Sequence, residues 1–234
     1  MRHVLMILSS ARSWTLRDGT HHPTGFWAEE FVTPHRLFRQ AGFQVTVATP
    51  SGAVAHADEL SLSLAMNGHR SEVVADFRAY LAEVRAELDT PASLETLVAE
   101  DYEAVFIPGG HGPMEDLAHD PSIGRFLVRR LDDTARILAS VCHGPASFLS
   151  AVRPDGRWAF AGRTLTAFTN EEEGQAGFAA VAPWLLEDRL REHGATVRTA
   201  EPWASHIVSD GNLITGQNPG SADAAAHEVI RRIS

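Results

Sequence analysis

The stretch Arg136-Ile137-Leu138-Ala139-Ser140-Val141-Cys142-His143-Gly144-Pro145-Ala146 changes character at its cysteine. Before Cys142 lies an apolar run, the pattern of a parallel strand buried on both faces; after it come glycine and proline, which open a helix. A nucleophilic side chain at a strand-turn-helix junction is the arrangement of a nucleophile elbow, with cysteine in the serine role. In an open α/β sheet, ligands gather beyond the carboxyl ends of the strands, so this junction predicts both the fold and the place of the site.

The flanking sequence extends the pattern. Val4 to Leu8 is another apolar run and reads as a central strand, followed by an aperiodic loop from Ser10 to Gly25. Glu30 to Ala41 reads as a helix stopped by Gly42, and Gln44 to Thr49 as the next strand, giving a βαβ unit. Pro50 to Glu100 is longer than a crossover needs. Within it Val74, Phe77, Leu81, Val84 and Leu88 recur at helical spacing, which predicts a helix from Ser71 to Leu88 over one end of the sheet. Beyond it come a strand at Ala104 to Ile107, a helix at Pro121 to Asp133, the strand at Arg136 to Val141 and a helix from about Pro145. A strand near Thr164 to Phe168, a helix at Trp184 to His193, β segments around Ile207 and Leu213 and a helix at Ala222 to Ile233 complete the chain. This alternation predicts a doubly wound, mostly parallel α/β sheet sandwiched by helices. One domain over 1–234 is expected, with loop or cap insertions near 10–25 and 52–100.

Composition narrows the chemistry. The chain has 234 residues, 44% hydrophobic and 21% charged, the profile of an ordinary globular protein. Its formal charge is −10, the arginines are scattered, and no nucleic-acid partner is expected. All 20 basic residues are arginine. Without lysine the chain has no Schiff-base residue, no covalent anchor for pyridoxal phosphate and no P-loop lysine. A single cysteine precludes an intrachain disulfide and a thiolate metal cluster. The apolar stretch after Met1-Arg2-His3 is too short for a signal-peptide core or a membrane span, so a reducing, cytoplasmic setting without membrane attachment is expected.

Four strand ends carry chemistry. At the elbow, Cys142 is expected to point above the sheet, its thiolate favoured by the positive end of the following helix. His143 beside it suits proton transfer. The acidic run Asn170-Glu171-Glu172-Glu173 offers an orienting acceptor, and spacing does not choose among its glutamates. Pro108-Gly109-Gly110-His111-Gly112 lets backbone amides converge, a plausible oxyanion hole together with the His143 amide. Finally, Thr24-Gly25-Phe26-Trp27-Ala28-Glu29-Glu30 places two carboxylates at a helix start. One of them, turned into a desolvated crevice, would have a raised pKa and could carry a proton.

Together these motifs resemble the PfpI-type superfamily of the class I glutamine amidotransferase-like fold, the group that contains the Parkinson-disease-associated deglycase. Within it the chain is similar to the heat-shock-protein-thirty-one-like glyoxalases. The resemblance rests on Thr24 to Trp27 leading to Glu30, Phe106 to Gly112, Val141 to Ala146, Ala167 to Asn170 leading to Glu173, and Gly216-Gln217-Asn218-Pro219, in the same order along nearly the whole chain. It implies Cys142 as nucleophile, His143 as its partner, Glu173 as the third triad member and Glu30 as the glutamate that bonds the thiol and handles substrate protons. The Gly110 and His143 amides take the oxyanion-hole positions, and Glu29 is a solvent-side neighbour. Phe26, Trp27, His111 and Trp203 are candidates for lining the substrate pocket. Some relatives bind a metal, but His21, His22 and His35 make no convincing ligand set, and no metal or organic cofactor is expected.

The reaction the resemblance implies is the conversion of methylglyoxal, a small reactive dicarbonyl, and water to D-lactate without glutathione, through a hemithioacetal on Cys142. The same residues would serve a cysteine hydrolase (deglycase, amidase or peptidase), or a holdase chaperone whose cysteine senses oxidants. A homodimer is common among the relatives.

Overall fold

The computed structural model describes residues 2–234. β1 (His3–Ile7) leads into a hairpin of β2 (Ser13–Thr15) and β3 (His21–Pro23), and α1 (Ala28–Gln40) and β4 (Gln44–Thr49) complete the first βαβ unit. The segment up to residue 100 holds 3-10 turns at Glu59–Leu62 and Ala65–Asn67, then α2 (Ser71–Glu83), α3 (Arg85–Asp89) and β5 (Ala92–Ser93). Then come β6 (Ala104–Ile107), α4 (Gly112–Glu115), α5 (Pro121–Asp132), β7 (Ile137–Val141) and a 3-10 helix at Gly144–Ser150. The last part contains β8 (Thr164–Leu165), α6 (Asn170–Gln175), α7 (Leu186–Glu192), β9 (Thr196–Val197), β10 (Ile207–Asp210), β11 (Leu213–Gly216) and α8 (Ala222–Ile233).

Seven strands form the central sheet in the order β10-β11-β7-β6-β1-β4-β5, every pair parallel except β10 with β11. The continuous apolar runs follow from burial on both faces. Alternate residues enter different layers: Leu5, Ile7, Val105 and Leu138 pack with Phe126, Leu127 and Phe148 on one side. Val4, Met6, Phe106 and Ala139 pack with Phe31 and Phe38 of α1 and Val229 of α8 on the other. The mostly parallel sheet flanked by helices is the predicted fold class, and the carboxyl ends of β1, β6 and β7 meet at one rim.

The departures are local. Residues 10–25, read as a loop, contain the β2–β3 hairpin, with Trp14 opposite His22 and fully buried. The Asp18-Gly19 turn, with Gly19 at φ 84°, was the available hairpin signal. The helix expected over Ser71 to Leu88 breaks at Val84, whose backbone leaves helical geometry at φ −94° and ψ 16°; the bend still lets Phe77, Tyr80, Val84 and Leu88 be buried together. The helix after the elbow is a 3-10 helix. The strand expected at Thr164 to Phe168 is reduced to β8, which pairs with β9 outside the main sheet. No helix among the described residues is long and apolar enough to cross a membrane.

Candidate active site

Cys142 follows β7 with φ 59°, a left-handed conformation that costs a non-glycine residue free energy. Two backbone bonds hold it there: its N–H donates to the Gly216 carbonyl at 2.9 Å, and its carbonyl accepts from the Phe168 amide at 2.9 Å. The thiol is therefore fixed between β11 and the segment before α6.

The Cys142 Sγ lies 3.3 Å from Nδ1 of His143. The other ring nitrogen, Nε2, is 2.7 Å from Oε2 of Glu173. A carboxylate accepts only, so Nε2 carries the proton and Nδ1 presents its lone pair to the thiol. Sequence spacing left three glutamates open; this geometry selects Glu173. Glu173 also accepts from Nε2 of His111 at 2.9 Å on its second oxygen. Burial alone would raise its pKa, but the two imidazoles, His143 and His111, that donate hydrogen bonds to it hold the carboxyl far below the usual carboxylate range.

Glu30, in the first turn of α1, is fully buried, and its Oε2 accepts the Gly109 amide at 2.6 Å. Burial pushes its carboxyl up to about 8, against the opposing pull of that amide. Burial also pushes the Cys142 thiol well above the ordinary thiol range. This runs against the expectation of a helix-stabilised thiolate: Cys142 is 3% exposed and the helix behind it is a short 3-10 segment. Both shifts favour the protonated form of each group. Ionisation then falls to Nδ1 of His143 as proton acceptor.

The glycine turn after β6 is required by close approach. A Cβ on Gly109 would lie 2.6 Å from the His143 nitrogen, 2.9 Å from Glu30 Oε2 and 3.0 Å from the Cys142 Cβ, so only glycine lets the three groups converge. Gly110 has φ 88°, its Cβ would collide with the Gly25 carbonyl, and its amide favours negative charge on the sulfur. Of the two amides expected to hold an oxyanion, that of Gly110 thus faces the sulfur, and that of His143 follows Cys142 in the chain.

A cavity of about 250 Å³ opens above Cys142. Trp27, His111 and Trp203 line it; Phe26 does not, being fully buried against Phe31 at 5.2 Å between ring centroids. His22, Leu60, Met66, Phe168 and Phe178 complete its wall, and sequence reasoning missed them because they come from the hairpin, the cap insertion and the α6 region. A larger surface groove of about 530 Å³, around Glu59, Arg78 and Arg85, lies away from the cysteine.

Glu172 was also missed as a distinct residue. It is fully buried and accepts from the amides and side chains of four partners: its Oε1 takes Trp203 N at 2.8 Å, Gln217 Nε2 at 3.1 Å and Asn218 Nδ2 at 2.8 Å, and its Oε2 takes Thr169 in a capping box. It holds Trp203, at φ 64°, over the pocket mouth. The capping pattern Thr169-x-x-Glu172 was legible, its extension to Trp203 was not.

Among the described residues, the grouping with metal-ligand spacing is His111, His143 and Glu173, with donor atoms within 4.8 Å of one another. His21, His22 and His35 do not assemble: His35 is buried against Tyr80 and Glu87, while His22 packs on Phe178. In the His111–His143–Glu173 group both imidazole Nε2 atoms already donate to the carboxylate, so a bound ion would have to displace the bonds that orient His143.

Residues 22–232 match the model of the DJ-1/PfpI family. The glutathione-independent glyoxalase HSP31 of Saccharomyces cerevisiae is 28% identical over 98% of this chain and 97% of its own length. The protein/nucleic acid deglycase HchA of Pseudomonas aeruginosa is 29% identical over 93% of this chain and 76% of its own. The crystal structure of glyoxalase III from Candida albicans superposes with a TM-score of 0.82 at 25% identity, covering 99% of this chain and 97% of that one.

Proposed function

Because the chain belongs to the DJ-1/PfpI family, we propose that it is a glutathione-independent glyoxalase that converts methylglyoxal and water to D-lactate through a hemithioacetal on Cys142. The observation that carries this reading is the alignment of Sγ, His143 and Glu173 at the floor of an apolar cavity, with the protonated acid Glu30 alongside.

His143 Nδ1 takes the thiol proton as sulfur attacks the aldehyde carbon, and the Gly110 and His143 amides face the oxyanion that forms. The proton on that carbon is removed and returned to the adjacent ketone carbon through an enediol, leaving a lactoyl thioester. Glu30, protonated near neutral pH with a pKa of about 8, gives its proton to the oxyanion and, as the resulting carboxylate, takes the carbon proton and delivers it to the adjacent carbon. Water then cleaves the carbon–sulfur bond, releases the acid and restores the thiol. The aldehyde carbon is oxidised and the ketone carbon reduced within one molecule, so no external oxidant or reductant enters.

The test is the product. Purified protein should form D-lactate from methylglyoxal without glutathione, and Cys142→Ser should abolish it. Equal inactivity of both proteins sinks the reading.

The similarity to a deglycase raises a second reading, thiol attack on a glycated adduct. Cys142 is 3% exposed at the bottom of a small cavity, which favours free dicarbonyls over adducts on macromolecules. Release of amine from glycated peptides faster than methylglyoxal turnover would reverse that order.

A further inference from the structure

The cavity above Cys142 is larger and more apolar than a three-carbon dicarbonyl requires. At about 30 Å³ per water molecule, 250 Å³ holds the volume of roughly eight waters, more than the five heavy atoms of methylglyoxal fill. Apart from three imidazoles, much of the wall is aromatic or aliphatic: Trp27, Leu60, Met66, Phe168, Phe178 and Trp203. Phe168 and Trp203 meet edge to face, with ring centroids 5.5 Å apart and planes at 69°. That open aromatic corner suits a further ring or branched alkyl group. Met66, from the cap insertion, adds an adaptable side chain at the mouth.

The lining also lacks what an anion or a sugar would need. No arginine lines the cavity among the described residues. The buried carboxylates Glu172 and Glu173 stand behind the walls, which makes the potential unfavourable for carboxylate or phosphate groups.

We propose that this site prefers 2-oxoaldehydes that carry an aryl or branched alkyl group in place of methyl, and discriminates against anionic ones. The inference rests on the glyoxalase reading and names its substrate class. A methyl-sized group leaves the aromatic walls unpaired; a phenyl group buries its faces against them, at about 25 cal/mol for each Å² removed from water.

The experiment compares initial rates with methylglyoxal, phenylglyoxal and the carboxylate-bearing 4,5-dioxopentanoate, each normalised to the hemithioacetal equilibrium that the aldehyde reaches with a free thiol. Phenylglyoxal should exceed methylglyoxal in kcat/KM by about tenfold or more, mainly through KM, and 4,5-dioxopentanoate should fall below both. Trp203→Ala should lower the phenylglyoxal to methylglyoxal ratio. A ratio at or below one in the wild type, with methylglyoxal still turned over, overturns the inference and leaves the glyoxalase reading standing. Turnover of no 2-oxoaldehyde sinks both. A 4,5-dioxopentanoate rate equal to that of phenylglyoxal removes the charge argument and overturns the proposed class.

Discussion

Glu30 and Cys142 are two buried acids side by side, and the environment raises the proton affinity of both. A carboxyl whose pKa rises from 4.5 to about 8 on folding costs no stability below its unfolded range. The cost grows as pH climbs from there to about 8, then stays constant at a few kcal/mol. Glu30→Gln should therefore raise the thermal midpoint at pH 9 but not at pH 4, while lowering kcat by about a hundredfold. Equal midpoint shifts at both pH values would show that the carboxyl is not destabilised by its burial. His111 permits a second residue-level prediction. It stacks on Trp14 at 4.3 Å and donates to Glu173, whose other oxygen orients His143. His111→Leu should lower kcat about tenfold with little change in KM, and His111→Gln, which keeps an N–H donor, should recover part of it. The identities of Cys142, His143 and Glu30 were legible as motif residues. The second bond to Glu173 was not, because it joins positions 62 apart in the sequence.

At the scale of elements, the site depends on two short turns. The turn after β6 brings Gly109 so close to His143, Glu30 and Cys142 that any side chain must push them apart. Gly109→Ala should cut kcat by about a hundredfold, the size expected when reacting groups move by about an ångström, while circular dichroism reports an intact sheet. α6 carries Glu173 and starts with the Thr169–Glu172 capping box. Thr169→Ala should cost about 1 kcal/mol in urea unfolding and reduce turnover as well, since the same turn aims the triad glutamate. A stability loss with unchanged turnover would separate the cap from the site. The long periodic elements were readable: β1, β4, β6, β7, α1, α5 and α8 lie close to where hydrophobic pattern puts them. The short ones were not. β2 and β3 have three residues each, too few for a period to show, and are held by packing such as that of Trp14 rather than by propensity, while the strand expected at Thr164 to Phe168 survives only as the two residues of β8.

At the scale of the whole molecule, a formal charge of −10 without lysine sets the outer field, and duplex DNA should not be retained even at low ionic strength, as fluorescence anisotropy would report. Chelation should leave turnover unchanged, because His143 is oriented by Glu173 through a hydrogen bond; loss of activity with EDTA, restored by zinc, would contradict that picture. The sequence by itself determined the layered α/β architecture and the position of the nucleophile at a strand end, because both are written in local periodicity and in a contiguous strand-turn-helix motif. Only the tertiary structure decided which nitrogen faces the sulfur, how the second oxygen of Glu173 is bonded and how apolar the cavity is. These depend on distances and dielectric between segments as far apart as the 79 positions separating Glu30 from Gly109, and no local pattern encodes them.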